Sequence, residues 1–426
     1  MHNLREIFSE ELFEQTAEAL SHRGFDLTEN DRETYYAIRA GETSIHETRA
    51  QLNILSKQFG KASEDERARL REQTSQLKGY VQEEESRLAV TRDQFELRML
   101  GVPNISAAHV PTGESDKDNV VISEYGTIPG FPEDKPAVDH LTIGTRLGII
   151  DNENAAMLSG SKFSVYRGKG ARLKRALINF MLDAATSNGY QEVEVPYLVR
   201  PDVLQGTGQL PKFEDDMFQT VDNKGNALYL IPTTEVPLTN LMKNHVFKVD
   251  ELPYKLTGYS ENFRREAGKA GQDTKGLIRN HQFPKIELIQ IAHPDHSWDS
   301  YNKMIDEASF VLNALSLPFR TIELCTGDLG FAALSTRDLE VWLPSQNRFL
   351  EVSSVSNTGE FQARRIGMKY VEPETGNRKF VHTLNGTAVA VGRTMAALIE
   401  NNQNPDGSVS IPEALQDYTK FDKIES

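Results

Sequence analysis

The chain has 426 residues and a formal net charge of −15, long enough for two domains with a substantial core. Its single cysteine, Cys325, excludes an internal disulfide and a cysteine-rich zinc site, and a reducing cytoplasm is the simplest setting. No apolar run approaches the ~20 residues needed to cross a bilayer, and the acidic balance alone argues against a nucleic-acid partner, whose phosphates dominate affinity.

Met1-His2-Asn3-Leu4-Arg5-Glu6 lacks the basic head and apolar core of a signal peptide. Residues 1 to about 30 read as a short helical segment, with Leu4, Ile7, Phe8 and Leu12 at helical spacing. From Asp31 to Met99 the pattern becomes heptad. Ile38, Ile45, Leu52 and Phe59 form one row, with Leu55 between. After a break at Gly60 to Glu66, Leu70 and Leu77 form a second row and Val81, Leu88 and Phe95 a third. Ser63 followed by Glu66 reads as a capping box at the second helix start. Two helices of about 30 residues, each about 45 Å long, fit an antiparallel hairpin. The same periodicity fits a dimerisation coiled coil equally well.

Residues 101 to about 160 are punctuated by proline and glycine, as in Val102-Pro103-Asn104 and Ile128-Pro129-Gly130-Phe131-Pro132. Arg172 to Thr186 predicts a helix with Leu173, Ala176, Leu177 and Phe180 inward, followed by a strand over Gln191 to Pro196. Strands follow at Leu339 to Leu343 and Phe349 to Ser353, and a helix at Met395 to Asn401. Strands and helices do not alternate as in a parallel doubly wound sheet. The expected class is α+β around an antiparallel sheet, with domains at 1–100 (arm), 101–170 (connector) and 171–426 (core).

The stretch Asn262-Phe263-Arg264-Arg265-Glu266-Ala267-Gly268, followed by Gly276-Leu277-Ile278-Arg279-Asn280-His281-Gln282-Phe283, carries the clearest chemistry. Guanidinium groups offer a fixed fork of donors to phosphate, a carboxylate accepts from an adenine amino group, and an aromatic ring stacks on a base. With no GxxxxGK[ST] loop in the chain, side chains would have to hold the phosphates. Routine ion pairs on a surface loop would use the same residue types.

The stretch resembles motif 2 of the class II aminoacyl-tRNA synthetases, and its wording is similar to that of the bacterial-type seryl-tRNA synthetase family. Further blocks match in family order: Thr207-Gly208-Gln209-Leu210-Pro211-Lys212-Phe213, Ile231-Pro232-Thr233-Thr234-Glu235, Cys325-Thr326-Gly327-Asp328, Asp338-Leu339-Glu340-Val341-Trp342, Phe361-Gln362-Ala363-Arg364-Arg365 and His382-Thr383-Leu384-Asn385-Gly386. Val391-Gly392-Arg393-Thr394 resembles motif 3, and the helix and strand ending at Pro196 resemble motif 1 at a dimer interface. The resemblance implies a tRNA-binding helical arm, then a class II catalytic domain with an antiparallel sheet flanked by helices. The implied reaction is ATP-dependent activation of serine and its transfer to tRNA(Ser), with tRNA(Sec) open as a second acceptor, by a cytoplasmic homodimer with no membrane association. A paralogue with a specialised acceptor or antibiotic-resistance role, and a non-catalytic RNA-binding homologue, are the alternatives.

By match to the family motifs, Arg264, Glu266 and Arg393 would be catalytic. ATP would be held by Arg264, Arg265, Glu266, Arg279, Phe283, Glu351, Val352, Ser353, Ser354 and Arg393, with Phe283 and Arg393 on either side of the adenine. Serine would be held by Thr233, Thr234, Glu235, Arg264, Glu287, Asn385 and Thr387. Mg²⁺ would sit on Glu340, Glu351 and Ser354, whose hard oxygens suit it. Read without the family, Glu287 in Ile286-Glu287-Leu288 could be the exposed face of a strand. The chain departs from family wording at Ser335-Thr336-Arg337-Asp338, where Lys-Thr-Tyr-Asp is common, and at Leu350, where arginine is common. Lys275 stands for arginine, Thr387 for serine, and Leu52-Asn53-Ile54 for a charged run on the arm. Two cations are thus lost near the expected site, and Arg337 or Arg348 is expected to project toward the cleft and restore part of that field.

Overall fold

The computed structural model describes residues 1–267 and 276–425. The chain divides into two compact units, Asn3–Pro103 and Met1–His2 with Asn104–Ser426. Among the described residues, no helix is long and apolar enough to cross a membrane.

The first unit holds helices α1 (Leu4–Ile7), α2 (Phe13–Ser21), α3 (Glu29–Phe59) and α4 (Glu64–Leu100). Thr28 caps α3: its hydroxyl accepts from Asp31 N at 3.3 Å, and Asp31 accepts from Thr28 N at 2.9 Å. At the start of α4 the Glu66 carboxylate accepts from Ser63 N at 2.9 Å. Such caps satisfy amides that the first helical turn leaves without partners.

The two long helices pair antiparallel along a seam. Ile45, Val81 and Leu88 are buried in it, with Leu52 at its edge. Helix approach is close at Gly41, where an added Cβ would lie 2.5 Å from Leu88 Cδ1. Polar cross-links flank the seam: Arg92 to Glu42 at 2.8 Å, Ser44 to Tyr80 at 2.9 Å, and Arg49 to Glu85. Toward the other end of the helices, Phe8, Tyr35 and Phe95 cluster with ring centroids 5.1 to 6.4 Å apart.

The second unit is built on an eight-stranded sheet. Its strands are β1 (Val120–Tyr125), β2 (Gln191–Glu192), β3 (Tyr254–Phe263), β4 (Gln282–Ala292), β5 (Phe319–Glu323), β6 (Ser335–Leu343), β7 (Arg348–Asn357) and β8 (His382–Ala390). The order is β1-β5-β6-β7-β8-β4-β3-β2, antiparallel except for the short β2–β3 edge. Residues expected as a connector join this unit: β1 pairs with β5, helix α5 (His140–Arg146) packs beneath, and Ile143, Ile149 and Ile150 are in the core. The strand expected over Gln191 to Pro196 is shorter, because pairing with β3 ends after one further bond from Val193 N.

Strand alternation assigns the two sheet faces. One face carries Ile286, Leu288, Leu339, Val341, Val355 and Leu384 into the main core. Against it pack α6 (Gly168–Ser187), α7 (Ser297–Ala314) and α8 (Val391–Asn401) through Leu173, Leu177, Met181, Met304, Leu312, Met395 and Leu398. Each such side chain contributes about 1.5–3 kcal/mol by leaving water. The other face presents Lys285, Glu287, Thr336, Asp338, Ser354, Ser356, Asn385 and Thr387 to a cleft. Helix α8 begins at Val391, four residues earlier than expected, so Gly392-Arg393-Thr394 form its first turn.

Leu88→Ala should cost about 2–4 kcal/mol by leaving a cavity in a seam with few buried residues. The expected readout is faster amide hydrogen exchange in α3 and α4, with exchange in β4 and β8 unchanged. Equal acceleration in both units would contradict a self-contained hairpin seam.

Candidate active site

The cleft encloses about 610 Å³, a size ordinary for small-molecule sites. One end is built from the first residue of helix Glu235–Asn240 and the loop before it, and from the middle of β4 and of β8. There Glu287 is a buried carboxylate and Glu235 a half-buried one. Burial pushes Glu235 up to about 7, and the Glu287 charge adds to the effect. Burial also raises Glu287, against the opposing charge and hydrogen bond of Lys285. Lys285 Nζ lies 2.5 Å from Glu287 Oε2 and donates to Thr233 Oγ1 at 2.6 Å.

Amides hold the other carboxylate. Gln362 donates to Glu235 Oε1 at 2.6 Å and Asn385 donates to it at 3.2 Å. Thr383 in turn fixes Gln362 Oε1 at 2.8 Å, and Thr387 Oγ1 lies 3.5 Å from Glu287 Oε2. Two desolvated carboxylates in contact with one lysine and neutral amides form a site that gains from an arriving cation.

The other end is cationic. Arg264 follows β3, donates to Pro232 O at 3.2 Å, and stacks its guanidinium over Phe283, 5.2 Å from the ring centroid. Glu266, with a positive φ of 50°, pairs with Arg279 at 3.3 Å. Arg393 reaches from the first turn of α8 to Glu351, at 2.7 Å from its carbonyl and 3.1 Å from Oε2. Enclosure by the cleft walls opposes ionisation of Glu351, but the charge and hydrogen bond of Arg393, aided by Arg264 and Arg279, hold it below the usual carboxylate range.

Asp338 differs. Burial and the neighbouring Glu351 charge push it well up, against one hydrogen bond from Ser354, and its Oδ1 has no hydrogen-bond partner. Asp338, Glu351 and Ser354 therefore present hard oxygens side by side. Among the described residues, no three His, Cys, Asp or Glu side chains group around a metal position. A cation here would draw on other oxygens too, as Mg²⁺ does when phosphates complete its shell.

The cleft brings together Thr233, Glu235, Arg264, Glu266, Arg279, Phe283, Glu287, Glu351, Val352, Ser354, Asn385, Thr387 and Arg393. Four expected residues are not among its lining. Thr234 is fully buried and bonds Ser260 Oγ at 2.7 Å. Ser353 turns its hydroxyl to the carbonyl of Thr387 on β8. Arg265 anchors by its backbone, donating to Asp216 O at 2.9 Å. Glu340 is held by its cross-strand neighbour Arg320 at 2.6 Å.

The expected charge compensation is also corrected. Arg337 does not line the cleft. It binds Glu323 Oε2 at 2.6 Å and lies over Tyr301 of α7, while Ser335 donates to Glu323 Oε1 at 2.8 Å. Strand alternation puts both on the helix side, so the cation serves a buried carboxylate there. Arg348 donates to Gln346 Oε1 at 2.7 Å, also outside the cleft lining. Lys275 and Gly268 lie outside the described residues. Sequence reasoning missed Asp338, Lys285 and Gln362 as site residues; period-two alternation with Thr336 and Glu287 was the available signal for the first two.

A family model for the class II tRNA synthetase core domain (G, H, P, S and T) matches residues 216–402. A serine–tRNA ligase from Methylobacillus flagellatus is 45% identical over 414 residues, 94% of each chain. One from Hydrogenobaculum is 49% identical over 326 residues, 76% of each. Among solved structures, seryl-tRNA synthetase from Pyrococcus horikoshii complexed with ATP superposes with a TM-score of 0.90 at 31% identity, covering 100% of this chain and 99% of that one.

Asp338→Asn should stabilise the protein at pH 8. A carboxyl whose folded pKa is raised carries a penalty that is absent below its unfolded pKa, near 4, and grows as pH rises through the interval up to the folded value. The variant's melting temperature should exceed the parent's by about 2–4 °C at pH 8, and the gap should close as pH falls toward about 4. Scanning calorimetry across that range checks it; a constant gap would exclude the ionisation as the cause.

Proposed function

We propose roles for the cleft residues from one premise: the chain belongs to the serine–tRNA ligase family of class II aminoacyl-tRNA synthetases. It couples cleavage of ATP to AMP and pyrophosphate with the attachment of serine to tRNA. In the first step a serine carboxylate oxygen attacks the α-phosphorus and pyrophosphate leaves. In the second, a hydroxyl of the tRNA 3′-terminal ribose attacks the adenylate carbonyl and AMP leaves.

The observation that carries the assignment of roles is the polarity of the cleft, with desolvated carboxylates at one end and arginines at the other. Glu235 and Glu287 take the serine ammonium, adding a positive charge to a pair now balanced by Lys285 and, more weakly, by Arg264. Thr233, Asn385 and Thr387 complete a polar pocket. A pocket that must hydrogen-bond the substrate hydroxyl rejects alanine by roughly 10⁴ or more, because its own groups would go unpaired. Threonine is excluded by lack of room.

Arg264, at the cationic end, aligns the serine carboxylate with the α-phosphate, so that two anions meet in attack geometry and developing charge is neutralised. Glu266 accepts from the adenine amino group, Phe283 and Arg393 flank the ring, Val352 packs beside it, and Arg279 holds the γ-phosphate. The unpartnered Asp338 oxygen supports a Mg²⁺ site on Asp338, Glu351 and Ser354 in place of the expected Glu340 set. When bound there with ATP, the ion would neutralise phosphate charge. The helical hairpin is assigned to tRNA(Ser), and a cytoplasmic homodimer is the working assembly. With Arg264, Glu266 and Arg393 all in the cleft, nothing favours a non-catalytic homologue.

Serine-dependent exchange of pyrophosphate into ATP, followed by charging of purified tRNA(Ser), tests this reading. Arg264→Ala should lower exchange by about 10²–10³-fold in a variant whose melting is unchanged. Near-parent exchange would remove Arg264 from the mechanism.

Replacing residues 31–99 by a short linker should leave exchange within about threefold of the parent, because that seam is separate from the cleft core. Charging at the same tRNA concentration should collapse. Persistent charging would show that the hairpin is a structural coiled coil.

A further inference from the structure

We propose that His140, held in one tautomer by Glu400, is a positioning residue for the nucleotide end of the cleft. The inference rests on reading that end as the ATP site. Both side chains are buried. Glu400 Oε1 lies 2.7 Å from His140 Nδ1 and accepts from His140 N at 3.0 Å, while Oε2 accepts from Ser345 N at 3.0 Å.

A carboxylate so placed has only lone pairs to offer, so the imidazole proton resides on Nδ1. Nε2 is left as an acceptor, and Leu277 N donates to it at 3.2 Å. The approach is tight. Gly276 has φ +71°, and a Cβ there would stand 2.3 Å from His140 Nε2.

The far side of the same strip is fixed from α8. A Cβ at Gly392 would lie 3.1 Å from Leu277 O, and Arg393 Nε donates to Ile278 O at 3.0 Å. Leu277 and Ile278 are buried. The strip from Gly276 to Arg279 is thus clamped between an imidazole and a helix start, and it ends at Arg279 in the cleft. Small displacements of a binding cation are costly to positioning, so the acceptor on Nε2 sets where Arg279 can meet phosphate.

The test uses the full chain and two substitutions that divide the imidazole's duties. In His140→Asn the amide can donate to Glu400 but does not reach Leu277. In His140→Gln the carbonyl can take the place of Nε2 and accept from Leu277 N, while the bond to Glu400 is lost. The expected result is a rise of about tenfold in KM for ATP in His140→Asn, the loss of one hydrogen bond, with KM for serine within about twofold. His140→Gln should stay within about threefold of the parent.

Equal losses in both variants, or parallel rises in both KM values, would overturn the proposal in favour of a purely structural histidine. Glu400→Gln offers a gentler route if the histidine variants fold poorly. It no longer forces the tautomer, and should weaken ATP binding measured calorimetrically without serine; unchanged ATP affinity would count against the proposal. That measurement needs no turnover. If the parent lacked serine-dependent exchange, the synthetase reading would fall, and the order of ATP affinities among parent and variants would still decide this inference.

Discussion

The alternation of side chains along one antiparallel sheet governs the catalytic unit. Every strand through its centre carries apolar residues to the helices on one face and polar residues to the cleft on the other. Ile286 and Leu288 enter the core on either side of Glu287, and Leu339 follows Asp338 into it. A shift of register by one residue would exchange the two sets. It would bury the carboxylates among leucines and expose the core, so the buried face enforces the geometry of the polar one.

The polar face is energetically unfavourable by itself. Glu235, Glu287 and Asp338 are all pushed toward protonation by burial. Such groups persist where a well-packed layer offsets their cost and where a ligand relieves it. Here the relief is divided by chemistry. An ammonium ion suits the Glu235–Glu287 end, and the Asp338 oxygen suits a hard cation beside phosphate. Arginines at Arg264, Arg279 and Arg393 supply the opposite charge and keep Glu351 ionised.

Lost and gained cations illustrate how a charge can move without reaching the cleft. Ser335 and Arg337 lie two residues apart on the same face of β6 and both bond Glu323. The lysine that the family resemblance leads one to expect at 335 is therefore answered on the helix side, where Glu323 is buried. Linear proximity to Asp338 suggested a role beside the substrate. The pleat separates neighbours in sequence onto opposite faces.

The sequence by itself determined two heptad helices, the α+β class, the family and most of the cleft set, while the pairing of those helices into a hairpin was decided by the tertiary structure. Local periodicity, the cap at Ser63 and short motifs with fixed residue types encode these directly. It did not determine which motif residues face the cleft. Thr234, Ser353, Arg265 and Glu340 belong to matching motifs, yet Thr234, Ser353 and Glu340 are claimed by Ser260, Thr387 and Arg320, and Arg265 is tied through its backbone to Asp216. Nor did it reveal that His140 supports Leu277 across 137 positions. Such pairings depend on strand register and on how α5 and α8 pack beneath the sheet, and those are set by the collective burial of apolar side chains, which no local window of sequence contains.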